Sequence, residues 1–320
     1  MYPIKFHPIL KERLWGGKKL GKVLGKPITS EITGESWELS GVKNDVSVVS
    51  NGEWAGKTLQ QLIDGHPKDL LGQSVVERFG TEFPILIKFI DAKQDLSIQL
   101  HPNDELATKR HNSFGKTEMW YIMAAEPKAQ LIVGFNKEVS RKEYVQSLDN
   151  DTLLDLLNYE TVEEGDAFFI NTGKIHAIGA GVLLAEIQQT SDITYRVFDF
   201  NRRDKDGNLR ELHTELALDA IDYGKKDDFK IAYSKEKDRV NAMVDCPYFK
   251  TNFLQLTNNK TMNTNDRESF TIYMCVGGSV VVANDYGEAQ ITKGETVVVP
   301  AKSKIISLRT EGVKLLEVTI

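Results

Sequence analysis

The sequence predicts a mainly β protein of two β units with a small helical insert. Three observations carry that expectation. Short β-rich runs are closely punctuated by turn residues. The apolar runs are of strand length, too short for helices. One extended pattern, a turn glycine and an acid followed by a four-residue β-like run, occurs twice, near the middle of the chain and again near its end.

Taken in order, Gly16-Gly17, Gly34, Asn51-Gly52, Gly56 and Gly65 divide the first part into short segments, with Asp45–Ser50 as one β-like run. Thr58 followed by Gln61 predicts a helix start with a capping box. A second helix is expected over Lys68–Phe79, where Leu70, Leu71, Val75, Val76 and Phe79 recur at helical spacing. Pro84–Ile90 reads as a buried strand. In Asp95–His101, residues 97, 99 and 101 share one face of a strand and the apolar 96, 98 and 100 the other. Lys128–Gly134 and Asp166–Ile170 are strands separated by a helical insert, which opens at Ser140 with Glu143 and continues through Leu153–Leu157. Asn201–Leu209 is a polar turn, and charge-rich Lys225–Arg239 is the expected linker between residues 1–235 and 236–320. Beyond it, Phe249–Thr257, Ser269–Val276, Ser279–Ala283, Thr296–Val299 and Lys304–Leu308 are β-like.

The 320 residues suffice for one large or two ordinary domains, and 41% hydrophobic with 27% charged residues is ordinary globular composition. A formal charge of −6 disfavours nucleic acid and anionic membranes as partners. An anionic substrate would then need a local cluster of cations. Two distant cysteines, Cys246 and Cys275, make neither a disulfide framework nor a thiolate metal site. No apolar stretch approaches the ~20 residues of a membrane span, and the N-terminus lacks an apolar signal core. A cytoplasmic location is the resulting expectation.

The repeated pattern runs from Gly165-Asp166 through Asn171 and Gly173 to His176, and again from Gly294-Glu295 through Pro300 and Lys302 to Ile305. It resembles the second sequence motif of the cupin superfamily, which implies two jelly-roll barrels. The first copy keeps the glycine and the histidine; the second puts Lys302 and Ile305 in their places. One barrel with a metal and one without are therefore expected. In the first, Gln99 and His101 project from one strand, Glu118 opens a further strand, and His176 ends the motif. Two imidazoles, a carboxylate and an amide carbonyl suit a single Zn²⁺ with open positions, though the same set also accepts Fe²⁺ or Mn²⁺. His7, His66, His111 and His213 lack partners at metal spacing.

At these residues the sequence resembles the type I mannose-6-phosphate isomerases, in their shorter bacterial form. The resemblance covers most of the chain and is densest in Leu14-Trp15-Gly16-Gly17, FPILIKFIDAKQDLSIQLHPND from Phe83, GKTEMWY from Gly115, GKIHAIG from Gly173 and AEIQQTSDITYRVFD from Ala185. It implies one zinc per chain on Gln99, His101, Glu118 and His176. It further implies Arg196 as the catalytic arginine, Glu186 in proton transfer and Lys116 as a proton shuttle or phosphate partner. Ser97, Arg202 and Trp15 are the expected substrate contacts, with an arginine at 202 where longer members carry lysine. The expected reaction interconverts mannose 6-phosphate and fructose 6-phosphate through a cis-enediol(ate), with metal and Arg196 opposing the negative charge that develops on oxygen. Two other classes are open to the same ligands. An iron cupin dioxygenase would consume O₂, and a non-catalytic sugar-phosphate sensor would lack the acid/base groups.

Overall fold

The structure, a computed structural model, describes residues 1–204, 206–226 and 229–320. Position 205 of the expected polar turn and positions 227 and 228 of the expected linker lie outside the described residues. The fold is mainly β.

The first unit consists of two antiparallel sheets. A six-stranded sheet runs in the order Ile9–Gly17, Thr33–Leu39, Ile85–Ala92, Val182–Gln189, Glu118–Ala125, Ala167–Ile170. A five-stranded sheet runs Tyr195–Phe198, Ile98–Leu100, His176–Ile178, Gln130–Phe135, Leu157–Thr161. Their facing sides share one core, in which Ile90, Trp120, Ile122 and Leu184 of the first sheet meet Leu131, Val133 and Ile178 of the second. The second unit is one seven-stranded sheet, dominated by the long strands Thr271–Asn284 and Ile305–Thr319. Register shifts at Cys275/Gly277 and Ser279/Val281 bend the first of these. The interior of this unit is mainly apolar, with Leu254, Val282, Val297 and Leu315 among its buried residues, and holds one buried carboxylate, Glu317, against Arg267 and the Tyr273 hydroxyl.

The six-stranded sheet is covered on both faces. Ile85, Ile87, Phe89, Met119, Met123, Ala185 and Ile187 turn outward into a cluster that also takes Phe253, Ile272, Met274 and Leu316 of the second unit and Leu62 and Leu70 of the helices. This double burial explains why ILIKFI reads as an apolar run broken only by Lys88. The alternation of strand residues sends 85, 87 and 89 to one face and 86, 88 and 90 to the other. Lys88 therefore points into the first unit, with Glu186 and Glu118 on the same inner face of neighbouring strands.

Thr58 caps the helix Leu59–Gly65, and both hydrogen bonds of the capping box with Gln61 are present. The single helix expected over Lys68–Phe79 is two, Pro67–Leu71 and Gln73–Phe79. Gly72 breaks them apart: its φ is 96°, and a Cβ there would lie 2.0 Å from the Glu268 carbonyl oxygen. Ser140 caps Arg141–Asp149, while Leu153–Leu156 forms a separate 3₁₀ turn.

The described part of the expected linker is mostly exposed but is anchored to the first unit at particular residues. Phe229 is buried in the first unit's core and the Tyr233 hydroxyl donates to the Gly165 carbonyl at 2.6 Å. The two motif copies share a left-handed glycine, Gly165 at φ 87° and Gly294 at φ 90°, each just before a strand. They part at the end. His176 is 1% exposed, whereas Ile305 is 48% exposed and the neighbouring Ile306 takes the inward position.

Candidate active site

The site is built where the two sheets of the first unit converge. Gln99, central in Ile98–Leu100, pairs with His176 on one side and with Arg196 on the other. The turn before His176 is fixed by Gly173, whose N–H donates to the His101 carbonyl at 2.8 Å. Its φ of 80° places that turn in the left-handed region, and a Cβ would meet the Ala220 carbonyl at 2.5 Å.

His101, Glu118 and His176 are buried and bring their ligand atoms within 4.8 Å of one another. His101 Nδ1 lies 2.9 Å from the Ile193 carbonyl and His176 Nδ1 lies 2.8 Å from the Lys174 carbonyl. A carbonyl only accepts, so both Nδ1 atoms carry the proton and both Nε2 lone pairs face inward. Burial, with Lys116 nearby, lowers the His101 pKa; burial, with His101 nearby, lowers that of His176 to about 3. Both rings are thus neutral. Burial alone would raise the Glu118 pKa, but the Lys116 ammonium opposes it, and the carboxylate is held well below its usual range. Glu118 Oε1 stands 3.2 Å from His101 Nε2 and 3.1 Å from Lys116 Nζ, and Oε2 stands 3.8 Å from His176 Nε2. None of these contacts has hydrogen-bond alignment. Both Nε2 atoms and both Glu118 oxygens are buried without a hydrogen-bond partner. Four convergent, unsatisfied ligand atoms of this kind fit a divalent cation, which would satisfy all of them.

Above this cluster lies a cavity of about 450 Å³ whose wall includes Ser97, Gln99, Lys116 and Arg196. Trp15 and Trp37 form part of it as well. Five cationic side chains, Arg13, Lys88, Lys116, Arg196 and Arg210, face it against the carboxylates of Glu35 and Asp192. This is a local positive field on a chain of net charge −6. Arg196 Nε donates to Ser97 Oγ at 3.3 Å and Nη1 to the Glu211 carbonyl at 2.8 Å. Among the described residues Arg13 pairs with Glu35, Arg210 with Asp199, Lys88 with Glu186 and Lys116 with Glu118. Arg196 has no carboxylate within ion-pair distance among them. Its charge is open to a ligand.

Glu186 lies on the inner face beside Glu118 but does not line the cavity. Its Oε1 is 2.9 Å from Lys88 Nζ, and its Oε2 accepts from Trp120 Nε1 at 2.9 Å. Burial and the Glu118 charge raise its pKa, with Lys88 pulling the other way. Arg202 stands apart. It is held by Asp199 and the Asp95 carbonyl and is not part of the cavity wall, where Arg210 is found instead.

Lys88, Arg13, Glu35 and Arg210 were not singled out from sequence. Lys88 carried a usable signal, a lone charge inside the apolar run ILIKFI, since a doubly covered strand tolerates a lysine only beside a partner. Arg210 carried none, because its place follows from the path of the chain after the polar turn.

Residues 4–134 match the family described as phosphomannose isomerase type I, catalytic domain. Residues 239–316 match the mannose-6-phosphate isomerase cupin domain. The chain is 38% identical over 250 residues to the mannose-6-phosphate isomerase ManA of Bacillus subtilis (strain 168), covering 77% of each. It is 33% identical over 299 residues to the mannose-6-phosphate isomerase of Streptococcus mutans, covering 93% of this chain and 92% of that one. The crystal structure of the mannose 6-phosphate isomerase from Bacillus subtilis superposes over 100% of both chains with a TM-score of 0.90 at 32% identity. A mutant phosphomannose isomerase from Salmonella typhimurium, at 17% identity and a TM-score of 0.81 over 99% of this chain and 98% of that one, shares the fold. With fold, site and relatives in agreement, the chain belongs to the type I phosphomannose isomerase family.

Proposed function

We propose that the protein interconverts mannose 6-phosphate and fructose 6-phosphate with one zinc ion per chain, through a cis-enediol(ate). The observation that carries this reading is the set of four unsatisfied ligand atoms on His101, Glu118 and His176 beneath a cavity rich in cations. Gln99, two residues before His101 and central in Ile98–Leu100, completes the ligand set. When bound, zinc supplies Lewis acidity toward the oxygen that gains charge during proton transfer.

The chain's own groups do the rest. Arg196, without a carboxylate in ion-pair distance among the described residues, holds a fixed positive charge against the developing oxyanion. Lys116 bridges the metal cluster and the cavity, touching Glu118 on one side and lining the wall on the other. Glu186 reaches the cavity only by way of Lys88, so the two act as one proton-transfer unit, the carboxylate holding the ammonium that faces the sugar. Ser97 and Arg210 offer donors to the phosphate, and Trp15 walls the substrate in.

The test is turnover of mannose 6-phosphate in a coupled assay, before and after chelation and with zinc restored. Activity that disappears and returns with zinc supports the reading. Full activity in the metal-free protein removes it.

A further inference from the structure

Arg196 sits on Tyr195–Phe198, an edge strand of the five-stranded sheet, and an edge strand leaves backbone groups without a ladder partner. Here the segment Glu211–His213 supplies the partners. The His213 N–H donates to the Arg196 carbonyl at 2.7 Å, and the Arg196 N–H donates to His213 Nδ1 at 3.1 Å. The Glu211 carbonyl accepts from the Arg196 guanidinium at 2.8 Å. Two residues of one segment thus hold both ends of Arg196, its peptide and its charged head.

The segment is itself anchored. His213 starts the short helix Thr214–Ala217, the Ala217 N–H returns to the His213 carbonyl at 2.9 Å, and Ala217 is buried in the cluster that holds Tyr195 and Val197. The His213 ring lies 6.3 Å from that of Tyr195. Its Nδ1 accepts, so the ring is the Nε2–H tautomer, opposite to the tautomer at His101 and His176. This histidine is thus not set up as a metal ligand but as an acceptor for one particular amide.

We propose that His213 is a positioning residue for Arg196, its Nδ1 fixing the peptide from which the guanidinium projects into the cavity. The proposal rests on the isomerase reading, in which Arg196 opposes charge that appears only in the transition state. Misplacing it then lowers kcat and leaves KM near its starting value.

Two variants separate the acceptor from the ring. His213→Asn keeps an oxygen at the place of Nδ1 and discards the ring; His213→Phe keeps the ring and discards the acceptor. Both are compared with the zinc-loaded wild-type protein for kcat, KM, bound zinc and thermal midpoint. His213→Phe should lose about tenfold in kcat with KM and zinc content unchanged, the scale set by one displaced hydrogen bond. His213→Asn should stay within about threefold of wild type. Wild-type kcat in the Phe variant overturns the proposal. Equal losses in the two variants also overturn it, because the ring's packing would then be what matters. A wild-type protein that does not turn over mannose 6-phosphate would instead remove the isomerase reading, so the two failures are distinguishable.

Discussion

Lys88 and Glu186 form an ion pair whose side chains are 6% and 4% exposed, and removing one partner has a calculable consequence. Lys88 lies 5.3 Å above the Trp37 ring and is drawn on by Glu186 and Glu35, which outweigh its burial and raise its pKa. It is therefore charged at neutral pH. Lys88→Met leaves the Glu186 carboxylate buried without its ion-pair partner, with the Trp120 indole as its hydrogen-bond donor, and Glu186→Leu leaves the Lys88 ammonium without it. Each single change should destabilise by about 3–5 kcal/mol, the range for breaking a buried pair. The double change Lys88→Met/Glu186→Leu removes both charges and should recover most of that loss, giving a large coupling energy. Urea unfolding of the metal-free proteins reads this as shifts in midpoint at constant slope. Turnover should stay low in all three, since the proposed proton-transfer unit is gone from each. A Lys88→Met protein within about 1 kcal/mol of wild type would refute the reasoning, because the pair would then behave as a solvated one. So would a double variant no more stable than the singles.

Three further outcomes follow from the site. His176→Ala should abolish zinc binding, measured as metal per chain after dialysis, while leaving the fold intact by circular dichroism, because the ring's bond to the Lys174 carbonyl is local. The folded metal-free protein holds His176 at a pKa of about 3, against 6.5 unfolded. Protons therefore favour the unfolded chain as pH falls from about 6.5 toward 3, and metal-free stability should decline across that window. The slope should be reduced in His176→Asn; an unchanged slope would count against the neutral ring. Arg210→Ala should raise KM for the sugar phosphate about tenfold, while Arg202→Ala should leave it near wild type, since only Arg210 faces the cavity.

Much of the site was readable along the chain because its residues keep local geometric rules. Residues 97, 99 and 101 keep the expected alternation although only Ile98–Leu100 is strand: Ser97 and Gln99 share the cavity wall and His101 enters the cluster just below. Glu118 begins its strand, and the turn at Gly173 delivers His176, as the motif implies. Thr58 with Gln61 encodes a cap that involves only four consecutive residues. The misreadings have the opposite character. Gly72 splits a helix because of the Glu268 carbonyl, almost two hundred positions away in sequence. Phe229 anchors a segment that reads as linker, because its pocket is made by strands far upstream. Arg202 and Arg210 lie on the same polar stretch, and composition does not say which of them turns inward.

The sequence by itself determined several strands, Ala167–Ile170 and Thr296–Val299 among them, the caps at Thr58 and Ser140, and three of the four candidate metal ligands, His101, Glu118 and His176, that the fold brings together, since periodicity and turn chemistry act over a few residues. Only the tertiary structure decided that Lys88 pairs with Glu186, that Arg196 keeps its charge free, and that His213 holds its peptide. Those outcomes depend on which strands become neighbours. Neighbour choice is set by burial of the whole sheet between two apolar layers, a property of the assembled chain that no short window of residues carries.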